Sequence, residues 1–126
     1  MTRHYEELDA FDRDGFFVIV DKTWEDISPR DCFDDSVTDM DQMCADIESG
    51  RLDWFMLRVR LMVDGYEMAA EYLGGMLYED PRQVFIDGVV DDLIAQAMPS
   101  AKREVYRMYK TFQDLSWMHD AEGVTA

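Results

Sequence analysis

The chain reads as an α+β domain, an antiparallel sheet of about three strands packed by helices, with elements in the order β-α-β-β-α-α. Three observations lead there. Asp64-Gly65 sits between two runs rich in β-branched and aromatic residues, the strongest short-range mark of a hairpin. An earlier run, Phe16 to Val20, is aromatic and β-branched throughout. After Asp80-Pro81 the apolar residues recur at helical spacing.

The first strand is expected over residues 15–24, opened by Asp14-Gly15 and buried on both faces over part of its length. Residues 25–38 have no usable period, contain Pro29 and are dense in charge, which predicts a long acidic surface loop. Loops of that length are more often functional or mobile than neutral. Met40, Met43, Cys44 and Ile47 then fall at helical spacing, with Thr38 and Asp41 in capping-box positions and Gly50 as a stop, so a short amphipathic helix follows.

A two-residue turn sets the hairpin register over residues 54–63 and 66–75. On one face it pairs Val63 with Tyr66, Leu61 with Met68, Val59 with Ala70 and Leu57 with Tyr72. On the other it pairs Met62 with Glu67, Arg60 with Ala69 and Arg58 with Glu71, and each opposite-charge pair there would contribute roughly 0.2–1 kcal/mol. Trp54, Met56 and Met62 lie on that second face, which calls for a second helical layer or an exposed contact patch; three helices with stripes to bury favour the layer. Gly74-Gly75 reads as a strand end or a bulge.

Asp80 as N-cap and Pro81 at the first helical position predict a helix with Val84, Phe85, Gly88, Val89, Leu93 and Ala97 on its buried side. Asp87, Asp91 and Asp92 are left outside. Pro99-Ser100 interrupts the pattern, and Val105, Met108, Tyr109, Phe112 and Leu115 define a last helix. Trp117 and Met118 at its end suit a dimer contact or a local cap.

The charge is the feature most in need of explanation: 28 acidic against 12 basic residues, a net of −16 on 126 residues. Residues 1–50 hold a net of −11, residues 51–101 a net of −5, and residues 102–126 balance. The early acids alternate with Tyr5, Leu8, Phe11, Phe16 and Phe17, unlike the unbroken charge blocks of disordered tails. With 48% hydrophobic residues the composition fits one acidic domain over residues 1–126. The start has no apolar h-region and no stretch nears the roughly 18 apolar residues of a membrane span, so a cytoplasmic protein with no membrane contact is expected. Cys32 and Cys44 have neither disulfide-framework nor zinc-site spacing.

Nothing points to an enzyme. The histidines, His4 and His119, lie near the termini, and no metalloprotease, nucleophile-elbow or phosphate-loop pattern is present. Asp12, Asp14 and Gly15 match the third, fifth and sixth positions of a calcium loop, but Ala10 and Asp21 stand where its first aspartate and its bidentate glutamate belong. A turn is the simpler reading, and no metal or other cofactor is expected.

Asp53-Trp54-Phe55, Tyr72-Leu73-Gly74-Gly75 and Tyr78-Glu79-Asp80 together resemble a group of small phage and prophage proteins in which a Trp-rich strand leads into a Tyr-Leu-Gly-Gly strand and then a helix. The resemblance spans about residues 46–92, with Met76-Leu77 where those proteins often carry Cys-Ser. It implies an origin in a mobile element. Small acidic phage proteins without catalytic motifs are similar, as a class, to inhibitors of host defence such as anti-CRISPR and anti-restriction proteins.

Magnitudes are compatible with mimicry of DNA. Duplex DNA carries one charge per ~1.7 Å, so sixteen charges correspond to roughly 27 Å of duplex. A compact domain of this length is roughly 36 Å across. The densities agree only if most acids share one face, and Asp31, Asp34, Asp35, Asp39, Asp41, Asp46 and Glu48, joined by Asp87, Asp91 and Asp92, are the candidates. The sequence therefore predicts a protein that binds a basic, nucleic-acid-binding host protein, not nucleic acid itself, with room for a homodimer. The alternative is an acidic phage accessory or assembly protein whose charge serves solubility alone.

Overall fold

The computed structural model describes residues 3–34, 39–115 and 117. Its elements are β1 (Glu6–Arg13), β2 (Phe16–Trp24), α1 (Pro29–Cys32), α2 (Met40–Glu48), β3 (Asp53–Val63), β4 (Tyr66–Tyr78), a 3-10 turn (Pro81–Phe85) and α3 (Val89–Gln113). The four strands form one antiparallel sheet in the order β1-β2-β3-β4, each paired with its neighbour in sequence. The class is α+β as expected, with four strands in place of about three and the order β-β-α-α-β-β-α.

The extra strand is β1. Asp14 and Gly15 both have positive φ, 52° and 88°, as do Asp64 and Gly65 at 50° and 82°. A two-residue turn with positive φ at both positions matches the right-handed twist of the strands it joins. Both Asp-Gly pairs are thus hairpin turns. The calcium-loop match resolves accordingly: Asp12 lies in β1, Asp14 in the turn and Asp21 in β2.

Strand alternation divides the sheet into two faces. Phe16, Val18 and Val20 of β2 and Phe55, Leu57, Val59 and Leu61 of β3 point to one side, where Val90, Leu93, Ile94, Ala97 and Ala101 of α3 complete the core. Burying each of these branched or aromatic side chains is worth ~1.5–3 kcal/mol. Ala97 and Ala101 add no bulk to hold the helix away from the strands. Leu8 and Met68 reach the same core from β-bulges, where β1 and β4 each carry one residue more than their partner. Arg82 of the 3-10 turn donates to the Leu8 carbonyl at 2.6 Å, bonding the backbone of the β1 bulge.

The bulge at Met68 corrects the expected hairpin register. Val63↔Tyr66 and Met62↔Glu67 pair as expected, but beyond them Leu61 faces Ala69, Val59 faces Glu71, Leu57 faces Leu73, Arg60 faces Ala70 and Arg58 faces Tyr72. One inserted residue moves the side chains of β4 from Ala69 to Leu73 to the other face. Glu71 is consequently not the partner of Arg58. Both arginines turn to β2 instead: Arg58 donates to Asp21 at 2.8 and 2.6 Å, and Arg60 at 3.3 Å. A second bulge falls at Gly74-Gly75, between the Phe55↔Met76 and Leu57↔Leu73 pairs, and β4 continues past it to Tyr78.

The helices also depart from expectation. Asp80 does cap at Pro81, accepting from the Arg82 amide, but the turn it opens is a 3-10 helix ending at Phe85. Gly88, at φ 90°, separates it from α3. Pro99 does not end the next helix, which runs unbroken through it, because Pro99 is exposed while Ala97 and Ala101 keep the stripe on the sheet. For α2 the N-cap is Asp39, whose side chain accepts from the Gln42 amide; Thr38 lies outside the described residues. Nor do all helices share one face. The Phe33 ring at the end of α1 lies 5.8 Å from that of Trp54, which alternation with Phe55 and Leu57 places on the side away from α3.

Candidate partner-binding surface

Residues 25–48 form an excursion between two strands that pair directly, since Trp24 at the end of β2 faces Phe55 near the start of β3. They carry nine acids and one base, a net of −8, half the charge of the chain. The segment is fastened to the sheet at its root. Glu25 accepts from the Gly75 amide at 2.8 Å, in the second bulge, and the Trp54 indole donates to the Ile27 carbonyl at 2.9 Å. Asp26 accepts from Arg3 and, at 2.7 Å, from the Trp24 indole. The Arg3 hydrogen bond, with that of Trp24, holds the Asp26 carboxyl below its ordinary pKa. At the exit of the segment, Lys22 pairs with Asp53 over the Phe55 ring.

Beyond the root, Ser28 caps α1 by accepting from the Arg30 amide, with Pro29 pre-set for the first helical position. Arg30 reaches Asp41 at 2.7 Å and ties α1 to α2. Met40 is buried, and Met43, Cys44 and Ile47 are half-buried. The apolar side of α2 is therefore covered while Asp41 and Glu48 face outward.

The structure brings together some of the expected carboxylates and separates others. Asp31, Asp34, Asp39, Asp41, Asp46 and Glu48 all lie on α1, α2 and their connection; Asp35 lies outside the described residues. Among the six, Asp31, Asp34, Asp39, Asp41 and Glu48 are exposed. Asp46 is not: its side chain is 16% exposed and accepts from Gln42 at 2.9 Å, with Arg51 at 3.8 Å. Asp39 is partly engaged by its cap. Asp87, Asp91 and Asp92 do not join the others. They sit at the start of α3, on the sheet face opposite Trp54, where Asp87 accepts from the Tyr78 hydroxyl at 2.5 Å and Asp91 pairs with Arg13 at 2.6 Å. Among the nine described carboxylates a single face does not form, because the sheet stands between the two groups.

Trp54, Met56 and Met62, left open between a second layer and a contact patch, are half-buried, half-buried and buried. Trp54 is covered by the Phe33 side of the acidic segment. Sequence reasoning missed the anchors Glu25 and Asp26; what could have found them is their place directly after a strand whose partner resumes at Asp53. Among the described residues no three His, Cys, Asp or Glu side chains converge to hold a metal, and no helix is long and apolar enough to cross a membrane. His4 is exposed, and its carbonyl accepts from Thr23 at 2.6 Å; His119 and Met118 lie outside the described residues.

Comparison with protein-family models, with curated proteins and with solved structures gives no match for this chain.

Proposed function

We propose that the chain is a non-enzymatic binding protein that presents the acidic segment 25–48 to a basic, nucleic-acid-binding surface of another protein, its carboxylates standing in for phosphates. The observation that carries this reading is that half the net charge lies on one sheet-anchored excursion with Asp31, Asp34, Asp41 and Glu48 exposed. Anchoring at Glu25, Ile27 and Phe33 limits the conformational freedom lost on binding, and carboxylates concentrated on one stretch steer encounter with a cationic groove. The contact set is narrower than the sequence implied: Asp31, Asp34, Asp39, Asp41 and Glu48, without Asp87, Asp91 and Asp92. In a phage setting the partner belongs to a host defence system that handles nucleic acid.

The test is capture of basic nucleic-acid-binding proteins on the immobilised chain, with duplex DNA as competitor and salt as a second variable. DNA should displace the partner, and binding should weaken steeply with salt, as contacts between exposed charges do. Reversing Asp31, Asp34 and Glu48 to lysine together should abolish capture, whereas Asp91→Lys with Asp92→Lys should leave it. Capture indifferent to the first triple change would instead support the accessory-protein reading, in which charge only maintains solubility.

A further inference from the structure

The fully buried part of the stripe by which α3 packs on the sheet ends at Ala101, and Met108 beyond it still packs half-buried against the core. As a sequence pattern it continues at the same spacing through Val105, Met108 and Phe112, with Tyr109 on its flank. Val105 is 36% exposed, Phe112 45%, Tyr109 55% and Tyr106 63%. Around Met108 the apolar side chains of this end of the helix stand exposed, and this overhang is a ridge with a groove on either side. One groove, about 620 Å³, runs toward the β3–β4 turn and is lined by Val63, Tyr66, Met68, Val105, Tyr109 and Phe112. The other, about 570 Å³, runs toward the β1–β2 turn along Gly15, Phe16, Lys102 and Tyr106.

We propose that this overhang is a two-fold interface for a second copy of the chain. Shape is the first argument: an isologous contact needs a patch complementary to itself, and a ridge flanked by grooves offers both halves of such a contact when two helices run antiparallel. Area is the second. Tyr66, Tyr106, Tyr109 and Phe112 are 45–66% exposed, and aromatic residues bury ~150–250 Å² each. Each copy therefore offers about 450 Å² of aromatic surface, and two copies approach the ~1,000 Å² that marks a specific interface before Val63, Val105 and Met108 are added. Charge is the third. Residues 102–114 hold four bases and two acids, and the grooves add Asp14 and Asp64, so the patch is close to neutral in a chain of net −16. Two copies meeting here keep their acidic segments out of the contact.

Sedimentation of the full chain over a range of concentration and salt tests this. Mass should double with concentration, and association should strengthen as salt rises, because salt screens the long-range repulsion between two copies of like charge. That is the reverse of the salt response expected for the partner surface, so failure of one reading is distinguishable from failure of the other. Tyr109→Glu should weaken association roughly thirtyfold or more, in the range of an aromatic hot spot, with an unchanged circular dichroism spectrum. Should that variant misfold, Tyr106→Lys, at a more exposed position, should weaken association in the same sense. A chain that stays monomeric at high salt and high concentration, or a dimer indifferent to both substitutions, overturns the proposal.

Discussion

Asp21 of β2 and Arg58 of β3 stand opposite each other across the ladder and are joined by two parallel hydrogen bonds, Nε to Oδ1 at 2.8 Å and Nη2 to Oδ2 at 2.6 Å. Asp21 is 3% exposed. The hydrogen bonds to Asp21 raise the Arg58 guanidinium above its ordinary pKa, outweighing the loss of solvation, and the Tyr5 ring lies 3.4 Å from its Cζ. Arg60 adds a longer bond to the same carboxylate while its own Nε is buried with no partner among the described residues. One carboxylate thus holds two cations between the middle strands.

Asp21→Asn should destabilise the fold by ~3–5 kcal/mol, since it leaves two largely buried guanidinium groups facing a neutral amide. Urea unfolding checks this. Glu71→Gln, at the position the sequence would have paired with Arg58, should change stability by less than about 0.5 kcal/mol.

Tyr78 supplies a pH signature. Burial, and then the hydrogen bond it donates to Asp87, push its phenol up from the ordinary 10.0 to about 12. The folded state keeps this proton after the unfolded chain has lost it, so the contribution is fully present below pH 10 and is lost as pH rises from there to about 12. Unfolding measured across this window should show a steeper loss for the native chain than for Tyr78→Phe.

Pro99→Ala should stabilise. Proline inside a helix forfeits a backbone hydrogen bond and crowds the preceding turn, and Pro99 is exposed within α3, so alanine should raise stability by about 1–3 kcal/mol in thermal or urea unfolding. A loss of stability would mean that the line of α3 over the sheet depends on the proline.

Gly75→Ala should destabilise by about 1 kcal/mol or more, because φ is 68°, a left-handed conformation that strains any residue with a Cβ, while the new methyl itself would only touch the Trp54 ring. The same change should loosen the root of the acidic segment, which a limited-proteolysis time course would register as faster cutting within residues 25–48.

What was legible in the sequence follows physical range. Asp64-Gly65 located its hairpin because turn chemistry is local, and Asp80 was recognised as a cap for the same reason. The equivalent signal at Asp14-Gly15 marks, in the sequence, only the opening of a strand, since the acids of residues 6–14 mask the alternation of β1. The bulges at Leu8 and Met68 have no local marker: each exists because a core on the far side of the sheet accepts one more side chain. That long-range demand re-paired Arg58 and Arg60. The acidic stretch was visible as composition, but its division by the sheet from Asp87, Asp91 and Asp92 depends on which face each element covers, which charge counting does not contain. Pro99 misled because a local helix breaker was overridden by a stripe that packs on both sides of it.

The link between β2 and β3 has an evolutionary consequence. Strands that pair directly and antiparallel could be joined by a tight turn, so residues 25–52 sit where the meander asks for almost nothing of the chain. Apart from the anchors at Glu25, Asp26, Ile27 and Phe33 and the buried Met40, substitutions, insertions and deletions there touch few of the contacts that hold the sheet. Under the proposed role, a change of target would be met by rewriting this stretch while the four strands and α3 stay as they are. The scaffold and the segment it displays can therefore change at different rates.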